Sequence, residues 1–117
     1  MTTTYNLIQK ITVGSGGASS VTFSSIPNTF TDLKLVGSVR NSGGVDYVDL
    51  QLNGNSSSYS SRWILGNGSS ASSASRTDTY NSSMQDISSW TGNTFSNFEM
   101  YIPNYASSNN KSYSIAF

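Results

Sequence analysis

Apolar and polar residues alternate along several stretches of this chain, and a two-residue period predicts β-strands. The clearest stretch runs from Leu33 to Arg40. Leu33, Leu35, Gly37 and Val39 share one face; Lys34, Val36, Ser38 and Arg40 share the other. The same period sets Val48, Leu50 and Leu52 against Tyr47, Asp49 and Gln51. It sets Phe98, Met100 and Ile102 against Asn97, Glu99 and Tyr101. At the end of the sequence Tyr113, Ile115 and Phe117 fall on one face. Tyr5–Val13 also reads as a strand, with alternation loose enough that both faces would be partly covered. Val21, Phe23 and Ile26 continue a short second one. Tyr59–Leu65 reads as a strand, Arg76–Tyr80 as a further one, and Met84–Trp90 as a strand or a short irregular piece.

Turn residues separate these stretches. Gly14–Ser19 (GSGGAS) and Asn41–Gly44 (NSGG) are turns. Pro27 makes IPNTFTD a corner, because proline donates no backbone hydrogen bond to a ladder. Asn53-Gly54 is a strong two-residue hairpin signal, with Tyr59–Leu65 as the returning strand. Gly66–Ser75 (GNGSSASSAS) reads as a loop, and Pro103 stops the strand ending at Ile102. No window keeps a 3.6-residue period, so no helix is expected, and no fixed repeat is visible. The pattern predicts one all-β domain over 1–117, an antiparallel β-sandwich of jelly-roll-like type. The alternation still runs at Phe117. That strand is therefore expected either to be locked into a sheet or a partner, or to belong to a longer protein.

Composition narrows the chemistry. The 117 residues contain no Cys and no His, which removes disulfides, Cys- and His-ligated metal sites and His-dependent nucleophile systems. Six Lys plus Arg balance six Asp plus Glu, and the cations are scattered, so no nucleic-acid surface is expected. The opening MTTTYNLIQK lacks the form of a signal peptide, and no apolar run approaches the roughly 20 residues of a membrane helix. Ser, Thr and Asn make up about two-fifths of the chain. Seven Tyr, five Phe and two Trp, set within alternating stretches, argue against disorder. The small neutral residues suit the exposed faces of sheets.

Three stretches carry a resemblance: VTFSSIPNTFTDLKLVGSVR, LQLNGNSSSYSSRWILGNG and FEMYIPNYASSNNKSYSI. Together the matching regions cover Val21–Arg40, Asp46–Asn67 and Phe98–Ile115. They resemble small β-sandwich virion structural proteins of tailed bacteriophages that infect cyanobacteria and other marine bacteria. Those proteins are read as capsid decoration proteins or as tail-fibre or baseplate modules, and they continue past the position of Phe117 with more strands. The shared motifs specify corners and hairpins rather than catalysis. The resemblance implies a non-enzymatic protein on the surface of a phage particle. As a decoration or cement protein it would associate with itself, as a homotrimer, and with the major capsid protein. The alternative is a tail module that binds host glycans.

Candidate sites are few. Asp46 and Asp49, near Asn53 and Asn55, offer oxygen ligands for calcium, but residues three apart in a strand point to opposite faces. They read better as solvated strand and turn residues. Asp78 and Asp86 flank Tyr80 as a conceivable glycosidase pair, with no spacing that forces them together. Tyr59, Trp63, Tyr80 and Trp90 would form an aromatic platform for sugars, although such rings more often fill the core of a small sandwich. Asn67, in the Gly66–Ser70 loop, joins them as a contact-surface candidate. Asn55, Asn67, Asn81 and Asn110 open Asn-x-Ser patterns that a chain rich in Asn and Ser contains by chance. No catalytic residue, metal or cofactor is expected.

Overall fold

The computed structural model describes residues 5–40, 47–66, 68–78, 81–85 and 94–117. The described residues form seven strands: β1 (Leu33–Val39), β2 (Tyr47–Leu50), β3 (Tyr59–Gly66), β4 (Ala71–Asp78), β5 (Asn81–Gln85), β6 (Ser96–Ile102) and β7 (Ser114–Ala116). No described residue is helical. Every strand pairing is antiparallel, in three small sheets ordered β1-β6-β7, β2-β5 and β3-β4. The fold is all-β and sandwich-like, as the alternation predicts.

The core lies on one face of the three-stranded sheet. β6 is its central strand, and Phe98, Met100 and Ile102 are its buried apolar residues. In register they face Gly37, Leu35 and Leu33 of β1. Ile115 of β7 stands opposite Met100 from the other side. The alternating residues of β6, Asn97, Glu99 and Tyr101, are exposed. A period-2 strand placed between two others thus sorts its side chains as the sequence indicates.

The Asn53-Gly54 turn forms as read. Both residues have positive φ, 54° and 67°, and the Asn55 N–H donates to the Leu52 carbonyl at 3.0 Å. Those angles belong to a type I′ turn, which an Asn-Gly pair reaches with little strain. What the turn connects differs from expectation. β3 does not return along β2; it pairs over its whole length with β4, while β2 pairs with β5. Ala71–Asp78, whose first half was expected to be loop, is a strand. Its polar ASSASRTD sequence has no apolar alternation, and its order comes from the β3 ladder beside it. Replacing Gly54 with Ala puts a Cβ into the left-handed region, and about 1 kcal/mol of stability should be lost, readable as a lower urea midpoint.

The largest departure is at the N-terminus. Tyr5–Val13 and Val21–Ile26 form no strand. Among the described residues, the backbone hydrogen bond of this region runs from the Gly17 N–H to the Gly14 carbonyl, closing a turn at the expected glycine run. Tyr5, Leu7, Ile8, Ile11, Val13, Val21 and Ile26 are all exposed, Leu7 at 83%. The alternation suits a strand, but a strand needs a neighbouring ladder, and the described residues supply none here.

The dimensions agree. The accessible surface is 9047 Å². A folded monomer of 12.5 kDa typically exposes about 6,200 Å². The radius of gyration is 15.5 Å, against about 13.4 Å for a compact domain of this length.

Candidate functional site

Five residues were candidates for a contact surface. Asn67, Tyr80 and Trp90 lie outside the described residues. Tyr59 and Trp63 stand four apart on β3 and so share a face of the β3-β4 sheet. Tyr59 is half-buried. Its hydroxyl accepts the Leu52 N–H and donates to the Asn55 carbonyl, both at 2.9 Å. That hydroxyl braces the turn before β3 and leaves the ring a structural task. Trp63 is 40% exposed and sits opposite Ala74, whose methyl leaves the indole open. On the reverse face Ile64 is exposed as well.

The acidic candidates do not converge. Asp46 and Asp86 lie outside the described residues, as does the side chain of Asp78. Asp49 is exposed. The Asn55 side-chain oxygen accepts the Ser57 N–H at 3.1 Å and the Ser57 hydroxyl at 3.4 Å, which is local turn chemistry. Among the described residues no three acids, Cys or His come together as a metal site, and no helix is long and apolar enough to cross a membrane.

The structure does assemble one polar cluster that the sequence reading left unassigned. Ile26-Pro27-Asn28 and Ile102-Pro103-Asn104 are two corners with the same tripeptide. The first precedes β1 and the second follows β6. Because Leu33 pairs with Ile102, the corners arrive at the same end of the sheet. There Asp32 accepts the Tyr101 hydroxyl at 2.7 Å and the Asn104 N–H at 2.8 Å. The Tyr105 hydroxyl donates to the Pro27 carbonyl. The repeated tripeptide was the available signal for this clasp. Two residues further along the same pair of strands, Lys34 forms an ion pair with Glu99 at 2.8 Å, and its ammonium lies 5.2 Å from the centre of the Tyr5 ring.

In the clasp each carboxyl oxygen of Asp32 accepts one hydrogen bond. The Asn104 N–H, and then the Tyr101 hydroxyl, hold its carboxyl below the usual carboxylate range. Tyr101 is pushed up in turn by donating to it. A carboxyl with a lowered folded-state pKa stabilises the fold above its unfolded pKa, and that contribution disappears as pH falls through the folded value. Asp32→Asn should therefore lower the urea midpoint at neutral pH. The gap to the wild type should close well below the carboxylate range, where both side chains are neutral. A gap of constant size across the acid limb would contradict this account.

Compared with protein-family models, with curated proteins and with solved structures, the chain finds no match. The arrangement therefore has to be read on its own terms. It offers an open indole, a clasp with its acid already engaged, and a long apolar segment without a ladder.

Proposed function

We propose that this chain is a non-enzymatic structural protein of a tailed-phage particle, a decoration or cement protein that coats the capsid as a homotrimer and grips the major capsid protein. The observation that carries this reading is the exposed N-terminal segment rich in apolar residues, which has no strand partner among the described residues. Surface of that kind suits a protein that finishes folding against its neighbours. The sequence resemblance supplies the particle, and the two Ile-Pro-Asn corners of that resemblance are the ones the Asp32 clasp ties together. The function is mechanical. Strands from neighbouring subunits complete a jelly-roll-like sandwich. Each trimer then engages several coat subunits at once, so that modest contacts of roughly 800 Å² per partner add by avidity. Low charge fits, since contacts made without ion pairs depend little on salt.

The open ring of Trp63 favours one second reading, a tail module that stacks host sugars against β3. Counting copies decides between the two. Particles are purified, heads are separated from tails, and the protein is quantified by mass spectrometry against the coat protein. Hundreds of copies on heads are expected. A few dozen or fewer on tails would transfer the function to glycan binding, and absence from both would overturn the particle assignment.

A further inference from the structure

We propose that residues 5–13 of one copy pair as a β-strand with the free edge of β1 in a second copy, so that subunits exchange their N-terminal arms. The proposal takes from the preceding section only that copies of this chain associate; it does not depend on the phage particle.

Three observations lead there. First, the arm has the makings of a strand and lacks the ladder. Tyr5, Leu7, Ile11 and Val13 fall on one face at period 2, all exposed, with no backbone pairing among the described residues. A buried or ordered strand must satisfy its N–H and C=O groups, and another strand does so best.

Second, β1 has an open edge of suitable length. It is seven residues long, and among the described residues β6 is its one strand neighbour. A strand edge of this kind is a template for pairing unless something covers it.

Third, the core is covered unevenly. On the central strand Phe98, Met100 and Ile102 are buried, whereas Leu33, Leu35 and Val39 of β1, on the same face, are only half-buried. One strand beyond β1 would cover them, and the arm's apolar face is of the right kind to do it.

A second copy is the occupant these features fit, because each copy brings both halves of the contact. It carries an arm to give and a β1 edge to receive one. Such a contact closes as a symmetric pair or, passed from subunit to subunit, as a ring of three. The ring is the form that agrees with the trimer proposed above. The arm joins the rest of the chain through the Gly14–Gly17 turn.

The test uses the unaltered chain. Its mass in solution is measured by sedimentation, and amide hydrogen exchange of residues 5–13 is followed at high and low protein concentration. The expected result is a closed oligomer in which the arm amides exchange at least about tenfold more slowly than after dilution to monomer. A chain that stays monomeric would overturn the proposal, as would an oligomer whose arm is unprotected. Protection that persists in the monomer would also overturn it. A second measurement identifies the edge. The chain has no cysteine, so Lys10→Cys in one tagged copy and Val36→Cys in another, both on the face away from the core, introduce the only thiols. Both positions are exposed. On mild oxidation a mixed disulfide between the two tags is expected. Cross-linking within one chain of the doubly substituted protein, in preference to between chains, would overturn exchange. Neither result bears on where the protein sits in a particle, so the two proposals fail separately.

Discussion

Met100→Ala should lower the unfolding free energy by about 2–5 kcal/mol. Met100 is the most completely buried side chain described, 1% exposed. It sits at the centre of the three-stranded sheet, in register with Leu35 on one side and Ile115 on the other. Truncation removes the apolar contacts and leaves a cavity that two flanking strands can fill only by moving. Against a total stability that is commonly about 5–15 kcal/mol, such a loss brings the domain close to unfolding. The control is Met100→Leu, which keeps most of the volume and should change stability by less than about 1.5 kcal/mol. Ile64→Ala gives the contrast, since at 84% exposure it should stay within about 0.5 kcal/mol. Urea unfolding of the three variants checks the set. If Met100→Ala were as mild as Ile64→Ala, the core would not lie on this face of β6.

The alternation of β1, β6 and β7 was legible because each has one covered face and one open face, and residue type follows the pleat. Pairing was less legible. Period 2 says where a side chain points and leaves open which strand lies alongside. The Asn53-Gly54 turn illustrates the gap. Its chemistry fixes two positive φ angles, yet the strands on either side of it belong to different sheets. β4 shows the converse. ASSASRTD has no apolar face to read, and it becomes a strand because β3 lies beside it. The arm is the hardest case. Its apolar residues ask for a ladder, and nothing in a single copy of the described chain answers.

The candidate site was legible in a similar way. Residue type named Tyr59 and Trp63 as aromatic candidates, but exposure separates them. One ring is half-buried with its hydroxyl tied into a turn, while the other is open opposite an alanine. Alternation cannot make that distinction, because both residues share a face. Asp32 escaped notice for another reason. Its partners are about seventy residues away, and only the β1-β6 register brings them together. The repeated Ile-Pro-Asn was the one local hint.

Gly37→Ala should destabilise the protein by about 1–3 kcal/mol, although it adds a single methyl group to a strand. On strand propensity alone, alanine in place of glycine should help. Contact geometry opposes it. A Cβ built at Gly37 would lie 2.3 Å from Phe98 Cε1 and 2.4 Å from Cζ, far inside van der Waals contact. Gly37 pairs directly with Phe98, whose ring lies across the space that the missing side chain leaves. The ring is buried, so it cannot swing into solvent, and the core around it must give way instead. A double-mutant cycle isolates this steric coupling. Phe98→Leu alone should be destabilising, because it empties part of the core. In the Phe98→Leu background, however, Gly37→Ala should lose most of its effect, since the clashing ring atoms are gone. Strict additivity of the two substitutions would mean that the penalty at Gly37 comes from the backbone of β1. Coupling would mean that Gly37 is kept small by Phe98, and that this pair sets the spacing between β1 and β6 on which the Asp32 clasp and the free β1 edge both depend.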